Sequence, residues 1–177
     1  MHREQFDFVQ SVRQKHPYYF QNKFVLEIGS LNLNGSVRQL FNNCNYIGID
    51  VGPGKDVDIV CMGHEYNAPD NSFDMVLSCE TLEHDPHWKL TFKKMIDLCK
   101  PGGLVLMTCA TTGRQEHGTI FREPQSSPNT VQIGWNHYKN LTEDDIRKIC
   151  DLDNLFYFYY FLTNTKSCDL YFYGIKC

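Results

Sequence analysis

The stretch FVLEIGS, Phe24 to Ser30, decides how this chain folds. Its apolar run ends on Gly29, and twenty-one positions later a second run, Tyr46 to Ile49, ends on Asp50. In an α/β sheet this arrangement lays a mononucleotide-like ligand across two neighbouring strands. The first strand supplies a backbone turn. The second supplies a carboxylate that can accept both ribose hydroxyls.

The wording of the turn selects among ligands. A dinucleotide fold sets three glycines at fixed offsets so that a pyrophosphate can approach a helix N-terminus. Here EIGSLNLNGS has Gly29 at the strand end, no further glycine until Gly35, and Glu27 two residues before the first. A carboxylate beneath the turn repels a pyrophosphate and suits a ligand carrying an ammonium group and a sulfonium. A nicotinamide-dependent oxidoreductase would also need a proton-donor constellation, which the sequence does not offer.

Four further segments follow in order: YIGID ending in Asp50, NSFDMVLS, CETLEH and LCKPGGLVLMT. With VLEIGS they make the chain, from Phe24 to its C-terminus, resemble a small class I S-adenosylmethionine-dependent methyltransferase. The resemblance implies a doubly wound, mostly parallel seven-stranded sheet, Rossmann-like, with an antiparallel hairpin at its C-terminal end. It implies S-adenosylmethionine as cofactor and methyl transfer as activity. One alternative of a different class is a methyltransferase-like protein that binds the cofactor or a partner without catalysis.

A chain of 177 residues suits one domain with a substantial core. Its net charge of -4 gives no basic field for a phosphate backbone, so nucleic acid is not the expected partner. The segment MHREQFDFVQ lacks a signal pattern, and the longest apolar run, Leu155 to Leu162, is too short to span a bilayer. The expected setting is the cytoplasm, without membrane attachment. Eight cysteines with no C-x-x-C pair read as buried free thiols of a reducing compartment. No metal is expected: His84 and His87 in EHDPH are the nearest approach to a ligand cluster, without the close pairs of a zinc site.

Phe6, Val9 and Val12 share one face of an N-terminal helix ending before Pro17. Ser36 can cap a short helix after the first turn, and Asp56 to Val60 reads as a third strand. Phe73 to Ser78 is the fourth. Asp85 and Pro86 open a helix whose buried face carries Trp88, Phe92, Met95, Ile96 and Cys99, stopped by Pro101 and Gly102. Leu104 to Thr108 is a fifth, interior strand. Residues 110 to 141 show no periodicity but contain Phe121, Trp135 and Tyr138, which favours a substrate loop or lid over disorder. Thr142 caps a helix through Cys150, with Asp145 as its reciprocal partner. The strands Leu155 to Thr163 and Asp169 to Lys176 finish the chain, and the aromatic run FYFYYF reads as a covered core strand rather than a base-stacking platform.

The resemblance assigns the methionine end of the cofactor to Glu27 and the backbone around Gly29 and Ser30, and the ribose to Asp50. Members often carry an acidic residue after the third strand that accepts the adenine amine, whereas Met62 stands there in this chain. Adenine is therefore expected against Val51 and Met62 and the backbone near Gly63, with His64 or Glu65 as substitutes. Cys79, at the end of the fourth strand, completes the cofactor set. Methyl transfer depends chiefly on orientation and exclusion of water. A base is needed only where the acceptor must lose a proton, and His84, His117 and His137 are the candidates, His84 and His117 foremost. The expected acceptor is a small molecule, with a hydroxyl of a sugar or other metabolite favoured over nitrogen.

Overall fold

The computed structural model describes residues 2–177. A single seven-stranded sheet runs through it in the order β3-β2-β1-β4-β5-β7-β6. The strands are β1 (Phe24–Ile28), β2 (Asn45–Asp50), β3 (Ile59–Val60), β4 (Phe73–Cys79), β5 (Cys99–Ala110), β6 (Phe156–Asn164) and β7 (Asp169–Lys176). The first five are parallel, and β7 pairs antiparallel with both β5 and β6. This is the α/β methyltransferase architecture that the resemblance implies.

Each interior strand is apolar on both faces because both faces are covered. Alternate residues of β5 therefore enter different cores: Leu104 and Leu106 meet helix α1 (Arg3–Lys15), while Val105 and Met107 meet α2 (Trp88–Leu98). From α1, Phe8, Val9 and Val12 are buried, and the Phe8 ring stacks on Tyr171 at 4.5 Å. From α2, Trp88, Phe92, Met95 and Ile96 are buried, as helical spacing requires. Its N-cap is His87; Asp85 instead accepts from the His87 amide at 2.6 Å and from the Thr91 hydroxyl.

The winding is thinner than strict alternation predicts. Only α2 is a full helical crossover; a 3₁₀ turn at Val37–Leu40, capped by Ser36, links β1 to β2. The third strand has two residues instead of five. Asp56 turns the chain at φ +67°, and Asp58 spends its carboxylate on the Gly48 amide at 2.7 Å and on Arg38. Those side-chain bonds replace a ladder.

Residues beyond β5 form a loop whose ends are tied together. Leu141 N donates to Ala110 O at 2.9 Å, and the Thr111 hydroxyl donates to Leu141 O. Within the loop lies the short helix α3 (Pro128–Gln132). Thr142 and Asp145 make the anticipated reciprocal cap on α4 (Glu143–Arg147), which ends three residues before Cys150. A last turn, α5 (Leu152–Leu155), leads into β6.

The aromatic strand departs from expectation. β6 lies at the sheet edge, so only its inner face is covered: Tyr159 and Phe161 pack near Phe172, while Tyr157 is 77% exposed and Phe158 47%. The cysteines are all unpaired, but only Cys99, Cys109 and Cys150 are buried, and Cys177 is exposed. Among the described residues no helix is long and apolar enough to cross a membrane.

Candidate functional site

The C-terminal ends of β1, β2 and β4 open into one cavity of about 410 Å³, the position where open α/β sheets bind ligands. Its wall contains nine of the residues that the sequence singled out: Glu27, Gly29, Ser30, Asp50, Val51, Gly63, Cys79, His84 and His117. Met62, His64 and Glu65 are not among them. Cys61 and Gly63, on either side of Met62, line the cavity instead. Gly63 has a packing reason of its own, since a Cβ there would come within 2.7 Å of Ile28 and Thr91. His137 also lies outside the wall.

The turn after β1 is held tightly. Gly29 has φ +81°, and a Cβ on it would overlap the Thr81 side chain, so this position requires glycine. The amides of Gly29 and Ser30 both donate to Ile49 O, at 2.8 and 3.0 Å. Those two donors are spent within the fold. The Ser30 hydroxyl, by contrast, is buried without a partner. A buried polar atom left open costs about 1–3 kcal/mol, so it fits a ligand group supplied from the cavity.

Glu27 points to the α1 side of the sheet and accepts from Tyr46 OH at 2.8 Å. Burial pushes its carboxyl up to about 7, against the opposing hydrogen bond from Tyr46. Asp50 is half-buried, and burial raises its carboxyl as well. Its Oδ2 accepts from Leu31 N at 3.3 Å; its Oδ1 accepts from Gly52 N at 3.4 Å and from Asn129 Nδ2 at 2.9 Å. A carboxylate has about four lone-pair sites. Room for hydroxyl donors therefore remains, the more so if Asn129 moves.

Asn129 lies on α3, and no sequence signal points to it. The SPNT segment announces a helix start, not a cavity contact. His2, Gln5 and Glu80 were also missed, yet all three line the cavity. His2 Nε2 stands 3.5 Å from Glu80 Oε2 and 3.2 Å from Asp169 Oδ2, and its pKa is raised chiefly by Glu80. Glu80 takes a left-handed backbone, φ +54°, and its Oε1 is buried without a partner. Arg114 reaches Ser167 O at 2.7 Å and Asp169 at 3.3 Å.

The histidines do not pair as EHDPH suggests. His87 lies against His64, with ring centroids 4.4 Å apart, while His84 meets His117 edge-on at 5.0 Å. His84 is 3% exposed, and burial with its cationic neighbours lowers its pKa to about 3. Glu83, beside it, is pushed well up by burial and by the Glu80 charge.

A family model described as a methyltransferase domain matches residues 26–107, which span β1 through most of β5. No curated relative matches the sequence. Among solved structures, the chain is similar to the Burkholderia thailandensis 1,6-didemethyltoxoflavin-N1-methyltransferase with bound S-adenosylhomocysteine. Identity is 14%, TM-score 0.61, and the match covers 97% of this chain and 86% of that one. It is also similar to Haemonchus contortus phosphoethanolamine N-methyltransferase 2 with S-adenosyl-L-methionine (15%, TM-score 0.64, coverage 96% and 52%). The CurJ carbon methyltransferase gives 15%, TM-score 0.65 and coverage of 98% and 54%. This chain spans about half the length of the latter two. The ordered motifs, the cavity at the strand ends and the family model agree: residues 26–107 match a methyltransferase domain, and the chain has the fold of the S-adenosylmethionine-dependent methyltransferases.

Proposed function

We propose that this methyltransferase acts on a small molecule, at a hydroxyl group such as that of a sugar or related metabolite, and that residues 110–141 close over the acceptor. The observation that carries this reading is the cavity itself. Its volume of about 410 Å³ lies toward the lower end of ligand sites, which run to about 1,000 Å³. Cofactor and acceptor must share it, so the acceptor is small. The net charge of -4 agrees, giving nothing to draw in a nucleic acid.

In this reading Asp50 accepts the ribose hydroxyls, Glu27 faces the ammonium group, and Ser30 supplies the hydroxyl of the turn. Val51, Cys61 and Gly63 hold the adenine, and Cys79 closes the wall beneath. The bound sulfonium supplies an electrophilic methyl group for in-line displacement. The protein's share is to align the acceptor and keep water out. His84, Arg114, His117 and Trp135 also line the cavity, and this reading assigns them to the acceptor. A neutral amine attacks with its own lone pair, whereas a hydroxyl reacts well only as its proton is taken. A histidine in the wall able to take that proton, His117, therefore favours oxygen.

The test is transfer of labelled methyl from S-adenosylmethionine to panels of polyols, phenols, amines and RNA. The reading expects product from the hydroxylated small molecules. Label appearing only in amines or in RNA would overturn the choice of acceptor.

A further inference from the structure

Glu83 and His84 stand on the 3₁₀ turn after β4, and His117 reaches them from the loop 110–141. Glu83 is 0% exposed. Its Oε1 accepts from the Ala110 amide at 3.1 Å, while its Oε2 is buried with no partner. Nδ1 of His84 and the hydroxyl of Tyr138, whose ring lies 5.5 Å from His84, are likewise buried with none. Three unpaired polar atoms in one spot are costly, at about 1–3 kcal/mol each, and native proteins answer such groups with a partner. Ligand atoms of Glu83, His84 and His117 all lie within 4.8 Å of one another.

We propose that Glu83, His84 and His117 bind a divalent transition-metal ion of the zinc type, with its open coordination positions facing the cavity. Two imidazoles and a carboxylate are the donor set of catalytic zinc sites, and imidazole selects against magnesium and calcium. The outer contacts fit. Nδ1 of His117 lies 3.0 Å from Gln115 O, which leaves Nε2 for the ion, and Glu83 is oriented by the Ala110 amide. Bonds of about 2.1 Å put tetrahedral donors about 3.4 Å apart, so the three must close by roughly an ångström. His117, half-buried on a loop, is the group able to move. The second cluster, His2, Glu80 and Asp169, differs because Arg114 and His2 already supply cationic partners there.

An ion at this place would hold an oxygen acceptor and make its hydroxyl more acidic, taking over what free imidazoles would otherwise do. That role rests on the proposed function; the binding itself does not. The experiment uses untagged full chain, stripped with chelator and titrated with cobalt(II), then melted with zinc or magnesium. We expect one saturable cobalt site with d–d absorption and no thiolate charge-transfer band. Zinc should raise the melting temperature and magnesium should not. Cobalt affinity should fall at least tenfold in His117→Ala, and also in Glu83→Gln where that variant folds. Absence of saturable binding in the wild type, a thiolate band, or unchanged affinity in His117→Ala would overturn the site. S-adenosylhomocysteine is titrated into the same stripped wild type. Normal binding there with no cobalt site removes the metal alone, and a cobalt site without S-adenosylhomocysteine binding removes the cofactor reading alone.

Discussion

Asn129 of α3 donates its side-chain amide to Oδ1 of Asp50 across 2.9 Å, joining residues 79 positions apart. The loop 110–141 is thus fastened to the carboxylate proposed for the ribose. A Cβ on Gly52 would come within 2.6 Å of the same asparagine side chain, so the contact is close on both sides. Cofactor and loop must then report on each other, because ribose hydroxyls and Asn129 draw on the same acceptor oxygens.

Removal of this tie should loosen the loop. The exposed tip, where Phe121 is 77% exposed, is the expected point of limited proteolysis. Asn129→Ala should speed cleavage between residues 119 and 126 several-fold, and saturating S-adenosylhomocysteine should slow it in the wild type. Equal cleavage rates in both proteins, with or without ligand, would show that the loop and Asp50 are not coupled.

Gly29→Ala should be costly. The substitution places a side chain at φ +81° and drives it into Thr81, two effects that each destabilise. A loss of about 2–4 kcal/mol lowers the melting temperature of a chain this size by roughly 5–15 °C. A melting curve within 2 °C of wild type (about 0.5 kcal/mol) would mean that the turn adapts freely.

Glu27 gives the protein a pH signature. Its carboxyl is pushed up to about 7 in the fold, above its ordinary value of 4.5. A raised carboxyl contributes stability in full below the unfolded value and loses it as pH rises through 7. The loss is on the order of 3 kcal/mol between about pH 4.5 and pH 8. Glu27→Gln should flatten this part of the stability profile measured by urea unfolding. An unchanged slope in that variant would assign the titration elsewhere.

The same carboxylate should couple to the cofactor with the opposite sign. An ammonium group beside Glu27 favours its ionised form, so S-adenosylhomocysteine should bind more tightly as pH rises from 6 to 8. Binding should release protons near pH 6.5, read by calorimetry in buffers of different ionisation heat. Affinity that falls over this range would separate Glu27 from the ammonium group.

Much of this was legible because burial writes itself as periodicity. β1, β4 and β7 stand within a residue of where their apolar runs place them, and the Thr142–Asp145 cap follows from residue type and spacing alone. The third strand was not legible, because Asp56 and Asp58 have alternating-strand spacing yet serve a turn and a side-chain bond. FYFYYF misled for a related reason: aromatic residues fit any pleated surface, and the sequence does not say that the strand lies at an edge. At the cavity wall, the strand-end residues and His117 of the loop stand where the sequence named them, while other residues brought in by tertiary folding went unnamed. Asn129 and His2 carry no local signal, and Cys61 rather than Met62 lines the cavity because one residue of register turns a side chain to the other face.

The central claim is that Asp50 holds the cofactor's ribose, and calorimetric titration of S-adenosylhomocysteine into wild type and Asp50→Ala tests it most directly. A hydrogen bond to a charged group contributes about 1.5–3 kcal/mol, and about 1.4 kcal/mol is tenfold in affinity. Wild type should bind one equivalent, and the folded variant should bind at least tenfold more weakly. Equal affinity in a folded Asp50→Ala protein, or no binding to wild type, would contradict the account.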